Sequence, residues 1–224
     1  MIKNIYNLGD AALYCDFGDT VNKETNLKVI NYFNDIRKKN ISGIKNIAPS
    51  YNKLIIYFDL ELTNYKKIKD TVENLDISNF EAAKTKIVKI PVCFDDEFAL
   101  DLERVEKKVG LGKKEIVNQL ISQKYFCYMT GFIAGMPFLG DLAENMRADR
   151  LETPRVKVPR GSIGLTEQFA NIYTFESPGG WNIIGNTPLN VFDSSNEIEP
   201  NLINPGDTVI FKEITYNEYK KYHE

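Results

Sequence analysis

The stretch ESPGGWNIIG, residues 176–185, contains three glycines, a proline and the only tryptophan of the chain. Gly179 and Gly180 can adopt backbone angles closed to other residues, and they allow another group to approach the main chain closely. Trp181 supplies a large apolar face with one N–H donor. The stretch is either a tight turn followed by a buried aromatic side chain or the rigid wall of a ligand pocket or subunit contact. Taken alone, it favours the turn.

The second half of the chain has the pattern of a mostly-β domain. From residue 125 onward, glycines and prolines recur between short apolar runs such as YFCYMTGF, NIYTF, WNIIG and TVIF. Short strands separated by turn residues are typical of β-barrels and sandwiches. Two helical patterns precede them, at 99–109 and 113–122. We therefore predict a β-barrel domain over residues 85–224 with a short helical lead-in.

The first third of the chain alternates between the two kinds of element. Strand patterns at 2–17, 44–58 and 84–93 flank two amphipathic helical patterns, at 23–38 and 62–76. Helices interleaved with strands in this order predict an α+β domain of the ferredoxin-like kind, which we assign to residues 1–84.

Charge and cysteine content restrict the partners and the compartment. The net charge is −3 and the pI about 5.4, whereas nucleic-acid-binding surfaces carry a basic excess. No stretch is long and apolar enough to span a bilayer, and MIKNIYNLGDAAL at the N-terminus lacks the pattern of a signal peptide. Three widely spaced cysteines indicate reduced thiols. We predict a cytoplasmic protein without nucleic-acid or membrane partners.

Histidine usage restricts the chemistry. The only histidine is His223, next to the last residue. This argues against a Ser-His-Asp or Cys-His catalytic site and against a histidine-based zinc site, and no CxxC pair is present. We therefore predict no metal site. Acid–base chemistry would have to use carboxylates, lysines, tyrosines or groups of a partner.

The glycine-containing segment GFIAGMPFLGDL, residues 131–142, is a candidate pocket. Gly131, Phe132, Gly135 and Pro137 are predicted to shape a concave binding surface, because apolar side chains on a glycine-rich backbone can line one. The alternative is a bend packed beneath the barrel, which the segment alone favours. It lacks the Gly-Lys-Ser/Thr ending of a phosphate-binding loop.

The segment DRLETPRVKVPRGS, residues 149–162, concentrates four basic residues in an acidic protein. If it is extended, Arg155 and Lys157 share a surface while Val156 and Val158 enter the core. The planar fork of arginine suits carboxylate or phosphate, so Arg155 and Lys157 are predicted to bind the substrate or another anion. The equally weighted alternative is a solvated loop with surface ion pairs. In NPGDTVIF, at 204–211, Asp207 is predicted to have a structural role.

Taken in order, these motifs resemble one family. The series is GFIAGMPFLG, LETPRVKVPRGS, IYTFESPGGWNIIGNTPLNVFD and PGDTVIF, and the early segments LGDAALYCDFGD and GIKNIAPSYNKLIIYFD agree with it. The chain resembles, over nearly its whole length, the family variously called kinase A inhibitor, allophanate hydrolase subunit 1 and 5-oxoprolinase B-subunit.

The resemblance implies a ferredoxin-like domain, a cyclophilin-like barrel and a function as the B-subunit of an ATP-dependent 5-oxoprolinase, which converts 5-oxoproline to glutamate. It implies a second barrel-fold subunit, of the 5-oxoprolinase C-subunit or allophanate hydrolase subunit 2 kind, and a separate third subunit. ATP with magnesium would serve the complex, with none bound tightly by this chain, which would be inactive alone. The catalytic residues are not assigned. A wall of the pocket or partner interface would be formed by Ser177, Pro178, Gly179, Gly180 and Trp181.

The sequence departs from the family pattern in segments expected to line a pocket. Ala134, Met136 and Phe138 replace the Pro, Phe and Tyr of the family's glycine loop, and Leu120 stands where the family has a histidine. Residues 166–171, TEQFAN, replace a loop of small residues. These departures favour an alternative, a non-enzymatic inhibitor that binds a sporulation histidine kinase. A third hypothesis is a stand-alone carboxylate-binding protein that uses the basic segment.

Overall fold

The computed structural model describes residues 2–75 and 85–222, and the chain divides into two compact units, Met1–Lys84 and Thr85–Glu224. His223 lies outside the described residues, as do the last residue of the predicted helix 62–76 and the first residue of the predicted strand 84–93. Each unit has its own hydrophobic core. Among the described helices, none is long and apolar enough to cross a membrane.

The described part of the first unit is a four-stranded antiparallel sheet with two helices. Its elements are β1 (Asn4–Asn7), β2 (Ala12–Asp16), α1 (Lys23–Lys39), β3 (Ile44–Pro49), β4 (Lys53–Phe58) and α2 (Tyr65–Glu73). The strands lie in the order β1-β2-β4-β3, so β1 and β3 are the edges. These elements confirm that the unit belongs to the α+β class.

Its ferredoxin-like connectivity stays a prediction. In that arrangement a strand that follows the second helix joins the sheet. Here the strand beside β2 is β1, which precedes the first helix. The residues that follow α2, at 76–84, lie outside the described part of the chain.

Helix α1 begins and ends where its sequence provides caps. The side chain of Asn22 accepts a hydrogen bond from the backbone N–H of Thr25 at 2.8 Å, and the helix ends at Asn40 in the left-handed conformation. Its buried face includes Val29 and Ile36, which join the core of the sheet. The predicted amphipathic helix at 23–38 is therefore confirmed.

The second unit contains a mixed sheet and a separate ribbon. Its strands are β5 (Ile87–Val92), β6 (Tyr125–Thr130), β7 (Pro137–Gly140), β8 (Arg155–Val158), β9 (Ser162–Thr166), β10 (Phe169–Ile172), β11 (Ser177–Gly179), β12 (Asn182–Asn186) and β13 (Thr208–Glu213). Seven of them form one sheet in the order β12-β9-β10-β7-β6-β13-β5, and β8 pairs with β11 in the ribbon. Strands β5 and β13 are parallel to each other.

The seven-stranded sheet nearly closes on itself. Cys93, directly after β5, exchanges two backbone hydrogen bonds with Asn186 at the end of β12, at 2.9 and 3.0 Å. This bridge joins the two edge strands, so the sheet forms a barrel with few free edge groups. A barrel is therefore confirmed, and its cyclophilin-like type stays a prediction.

The helices of this unit pack against the barrel. They are α3 (Leu102–Val109), α4 (Lys113–Ser122) and α5 (Tyr216–Lys220), with a short 3₁₀ helix at Glu144–Met146. Helix α3 ends at Gly110 in the left-handed conformation. This confirms the predicted break between the helical patterns at 99–109 and 113–122. The buried carboxylate of Asp207 accepts hydrogen bonds from the backbone N–H groups of Lys86 at 3.0 Å and Asn204 at 2.8 Å, which is a structural role.

Candidate functional site

One face of the barrel sheet carries a row of four residues that lies outside the main core. Phe138, Asn171, Gly164 and Ile183 are direct neighbours across β7, β10, β9 and β12. The main core instead contains their strand neighbours Leu139, Ala170, Leu165 and Ile184. Because side chains alternate between the faces of a strand, the row lies on the opposite face.

The row forms part of a second buried cluster, which includes Phe138 and Ile183. The cluster joins segments that are far apart in the sequence, and its other residues are Met136, Val158 and Tyr173, with Ile133 packed against them. Since Val158 belongs to β8, the β8–β11 ribbon lies over this face. The structure thus brings together the glycine-containing segment, the basic segment and the strand that follows SPGGW.

Gly179 is required by the side chain next to it. A Cβ atom at this position would lie 2.2 Å from the hydroxyl oxygen of Tyr173, whose ring is fully buried. At Gly180 the nearest atom would be Nη2 of Arg150, at 3.3 Å and at the end of a flexible exposed side chain. The first glycine therefore permits a close contact, and the second is less constrained.

Trp181 is half-buried and fills the space beside another glycine. A Cβ atom at Gly164 would lie 3.1 Å from Cβ of Trp181, and the indole ring meets Phe138 edge-to-face with ring centroids 5.5 Å apart. Burial raises the pKa of Tyr173, although the Asn171 side chain and the Trp181 backbone act in the opposite direction. The stretch is thus a turn followed by a packed aromatic side chain. Its contact with a ligand or partner stays a prediction.

Arg155 forms an ion pair with a buried carboxylate. Its Nη1 and Nη2 atoms donate to the two oxygens of Asp101 at 2.7 and 2.6 Å, and Asp101 is only 5% exposed. Asp101 also accepts from the backbone N–H of Ile183 at 2.7 Å. This bidentate geometry makes Arg155 a structural link between β8, the start of α3 and β12. The predicted contact of Arg155 with an anion stays a prediction.

The expectation that both valines of β8 enter the core is wrong for Val156, which is 80% exposed, whereas Val158 is buried. The inward turn of Arg155 toward Asp101 directs its neighbour outward, and a register shift between Ser177 and Gly179 interrupts the regular pairing of β8 with β11.

Lys157 also has a carboxylate partner. Its ammonium lies 2.9 Å from Glu176, and both side chains are exposed. The Glu176 carboxylate raises the pKa of Lys157 through their hydrogen bond. Lys157 therefore forms a surface ion pair, the alternative that the sequence left open, and its predicted contact with an anion is still a prediction.

Two other arginines of the basic segment have no carboxylate partner among the described residues. Neither Arg150 nor Arg160 forms an ion pair with any residue that the structure describes. The guanidinium of Arg150 lies beside Gly180, within reach of the SPGGW turn. Arg150 belongs to the same basic stretch of the sequence, but strand alternation predicts a shared surface only for Arg155 and Lys157.

The glycine-containing segment forms the tight turn between β6 and β7. Gly131 donates its N–H to the carbonyl of Met136 at 3.0 Å, and Pro137 begins β7. Gly135 has φ +69°, and a Cβ atom there would lie 2.3 Å from the ring of Phe192. Phe132 also has a positive φ, of 69°, and is 69% exposed. A bulky side chain rarely adopts this conformation, so the turn holds an aromatic ring out to solvent.

A second exposed aromatic residue lies in the adjacent loop. The hydroxyl of Thr174 donates to the carbonyl of Ala134 at 2.7 Å and so joins the two loops. Phe175 is 42% exposed and contacts Phe192 edge-to-face, with centroids 5.7 Å apart. Residues 131–135 and 174–176 are called the aromatic loops below. Each of the two loops thus exposes an aromatic ring to solvent.

Three of the residues that depart from the family pattern make backbone hydrogen bonds within the fold. Leu120 is fully buried in α4, and its carbonyl accepts from the hydroxyl of Tyr125 at 3.0 Å. In the β9–β10 hairpin, Glu167 donates its N–H to Ala148 at 2.7 Å, and Gln168 accepts from Leu142 at 2.8 Å.

The cysteines are poor candidates for nucleophiles. All three, Cys15, Cys93 and Cys127, are buried and free. Burial raises the pKa of Cys15 to about 12 and also raises the pKa of the other two thiols. The thiols therefore stay protonated at neutral pH. Among the described residues, no three His, Cys, Asp or Glu side chains are grouped to hold a metal ion.

Comparison with known proteins gives the family. Residues 3–203 match the family described as the carboxyltransferase domain, subdomain C and D, and the chain belongs to this family. It is 32% identical to the 5-oxoprolinase B-subunit of Bacillus subtilis, over 98% of this chain and 96% of that protein. The corresponding protein of Haemophilus influenzae is 31% identical over 93% of this chain and 96% of its own length. The predicted resemblance is confirmed.

A solved structure agrees with the fold. The crystal structure of TTHA0988 superposes with a TM-score of 0.82 at 27% identity, over 92% of this chain and 40% of that one. This chain therefore spans less than half the length of TTHA0988.

Replacing the first glycine of the turn should destabilise the second unit. We expect Gly179→Ala to lower the free energy of unfolding by about 1–3 kcal/mol, because the new methyl group overlaps the buried Tyr173 hydroxyl. Gly180→Ala, the matched control, should lower it by less than about 1 kcal/mol, since the Arg150 side chain can move away. Urea unfolding measures both. Tyr173→Phe should partly rescue Gly179→Ala, and equal effects at the two glycines would contradict this packing.

Replacing Arg155 should also destabilise the fold. Arg155→Ala leaves the buried carboxylate of Asp101 without its cation, so we expect a loss of about 2 kcal/mol or more in the free energy of unfolding. Lys157→Ala should leave stability unchanged within error, because its partner is exposed. Thermal and urea unfolding of the two variants measure this difference. A stable Arg155→Ala protein would show that the ion pair does not hold the ribbon.

Proposed function

We propose that this chain is the B-subunit of an ATP-dependent 5-oxoprolinase complex, which opens 5-oxoproline to glutamate, and that it is inactive alone. The observation that carries the proposal is the match to the 5-oxoprolinase B-subunit of Bacillus subtilis, at 32% identity over 98% of this chain and 96% of that protein. Because the match spans both units, both units are proposed to be part of the complex.

The chemistry supports a role within a complex. Phosphorylation of the lactam oxygen makes ring opening feasible, and the developing negative charge needs cations or N–H groups. In this chain the thiols are buried, and Arg155 and Lys157 are paired with carboxylates. We propose Arg150, beside the SPGGW turn, as the cation that this chain contributes. With no phosphate-binding loop in the sequence, we propose that ATP and magnesium bind to other subunits.

The partner is proposed from the family and the aromatic loops. The family description names subdomains C and D, so other subdomains would come from a second barrel-fold subunit. TTHA0988, of which this chain covers 40%, supports this because matching residues there belong to a much longer chain. The exposed ring of Phe132, held in a strained conformation, is the group that we propose contacts this subunit. A third subunit would be separate.

Reconstitution tests the proposed function. The chain is mixed with the second barrel-fold subunit and the third subunit, and glutamate formation from 5-oxoproline is measured with ATP and magnesium. We expect turnover only when all three are present. Arg150→Gln should lower kcat at least about tenfold, a loss of about 1.4 kcal/mol of transition-state stabilisation, and Arg160→Gln should not. Turnover without this chain would contradict the proposal. Inhibition of a sporulation kinase's autophosphorylation, without turnover, would favour the inhibitor alternative.

Loss of the exposed aromatic ring should weaken assembly. Phe132→Asn keeps a residue that tolerates positive φ but removes the ring, so the fold should be preserved. We expect the affinity for the second barrel-fold subunit to fall at least about tenfold, as for a central aromatic contact. Ile198→Asn, at a position that is 88% exposed, is the control and should have no effect. Isothermal titration calorimetry measures the affinity of both variants for that subunit. Unchanged binding of Phe132→Asn would exclude this ring from the interface.

A further inference from the structure

The first unit contains a groove that the proposed function does not use. It has a volume of about 420 Å³ and lies between the end of α1 and the edge strand β3. This volume falls in the range of small-molecule sites. The apolar part of its surface comes from one flank of the core and consists of Phe33, Ile36, Ile41, Ile44 and Ile47.

The charged side chains of the groove are both cationic. They are Arg37 and Lys45, and no aspartate or glutamate belongs to the described lining. Arg37 lies over the ring of Phe33, 5.9 Å from its centroid, and makes no ion pair with a described residue. Lys45 lies 3.0 Å from Asp59 but remains mostly exposed. In a chain of net charge −3, this groove is therefore complementary to an anionic group.

The edge of the sheet argues against a polypeptide strand as the ligand. A register shift between Ile44 and Asn46 interrupts β3, and the side chain of Asn46 accepts the N–H of Ile47 at 2.8 Å. Pro49 has no N–H to donate. Bulges, side-chain caps and prolines protect edge strands from pairing with another strand. A compact ligand fits the groove better than an added strand.

We propose that this groove binds an amphipathic monocarboxylate, with an apolar body of about six to ten carbons over the isoleucines and the carboxylate on the guanidinium of Arg37. The apolar surface provides affinity through the removal of hydrocarbon from water. Arg37 provides the preference for an acid over a neutral molecule of the same shape. The proposal is independent of the oxoprolinase assignment, because all of its residues belong to the first unit.

Methyl-detected NMR of the full chain tests the proposal. Octanoate is titrated into protein labelled at the isoleucine methyl groups, with n-octanol as the uncharged probe of equal length. We expect saturable shifts at Ile41, Ile44 and Ile47 at about millimolar octanoate, and binding of octanol at least about tenfold weaker. Arg37→Gln should weaken octanoate binding at least about threefold. Lys38→Gln, the same change at the next residue outside the groove, should leave binding unchanged.

Three results would overturn the proposal. The first is the absence of saturable shifts up to about ten times the expected concentration. The second is equal binding of octanoate and octanol, which would show that the cations recognise no carboxylate. The third is a set of shifts confined to isoleucines outside the groove. None of these measurements uses 5-oxoproline or another subunit, so failure here is distinguishable from failure of the proposed function.

Discussion

The second unit depends on the buried carboxylate of Asp101. This group accepts two hydrogen bonds from Arg155 and one from the backbone of Ile183, and the Asp101 N–H donates to the carbonyl of Ile183 at 2.8 Å. Arg104, in the first turn of α3, extends the network by donating to the side chain of Asn182. A buried carboxylate without partners is strongly destabilising, so these contacts hold helix α3, the ribbon and strand β12 in one arrangement.

This arrangement explains why the SPGGW turn is built from glycine and tryptophan. The ribbon lies close to the sheet, so Gly179 has no room for a side chain beside Tyr173, and Trp181 occupies the space over Gly164. The exposed guanidinium of Arg150 lies beside Gly180, and the aromatic loops carry two exposed phenylalanines. Exposed aromatic rings suit the proposed contact with a partner, since aromatic anchors dominate the energetics of many interfaces.

Much of the fold could be predicted from the sequence, because it is encoded in local patterns. The helical spacing of apolar residues predicts α1, and short apolar runs between turn residues predict the barrel strands. The partner of Arg155 could not be predicted, because Asp101 is 54 residues away and no local pattern links them. The exposure of Val156 depends on that same contact and on a register shift, so strand alternation failed there. The family could be predicted from the order of several motifs. That order does not show which basic side chains are paired with carboxylates.

Hydrogen exchange with and without the proposed second barrel-fold subunit measures whether the aromatic loops contact this partner. We expect amide exchange to slow in residues 131–135 and 174–176 when the complex forms. We expect little change around Asp101, whose hydrogen bonds are already made within the single chain. Slowed exchange confined to other segments, with the aromatic loops unchanged in a formed complex, would show that these loops do not contact the partner.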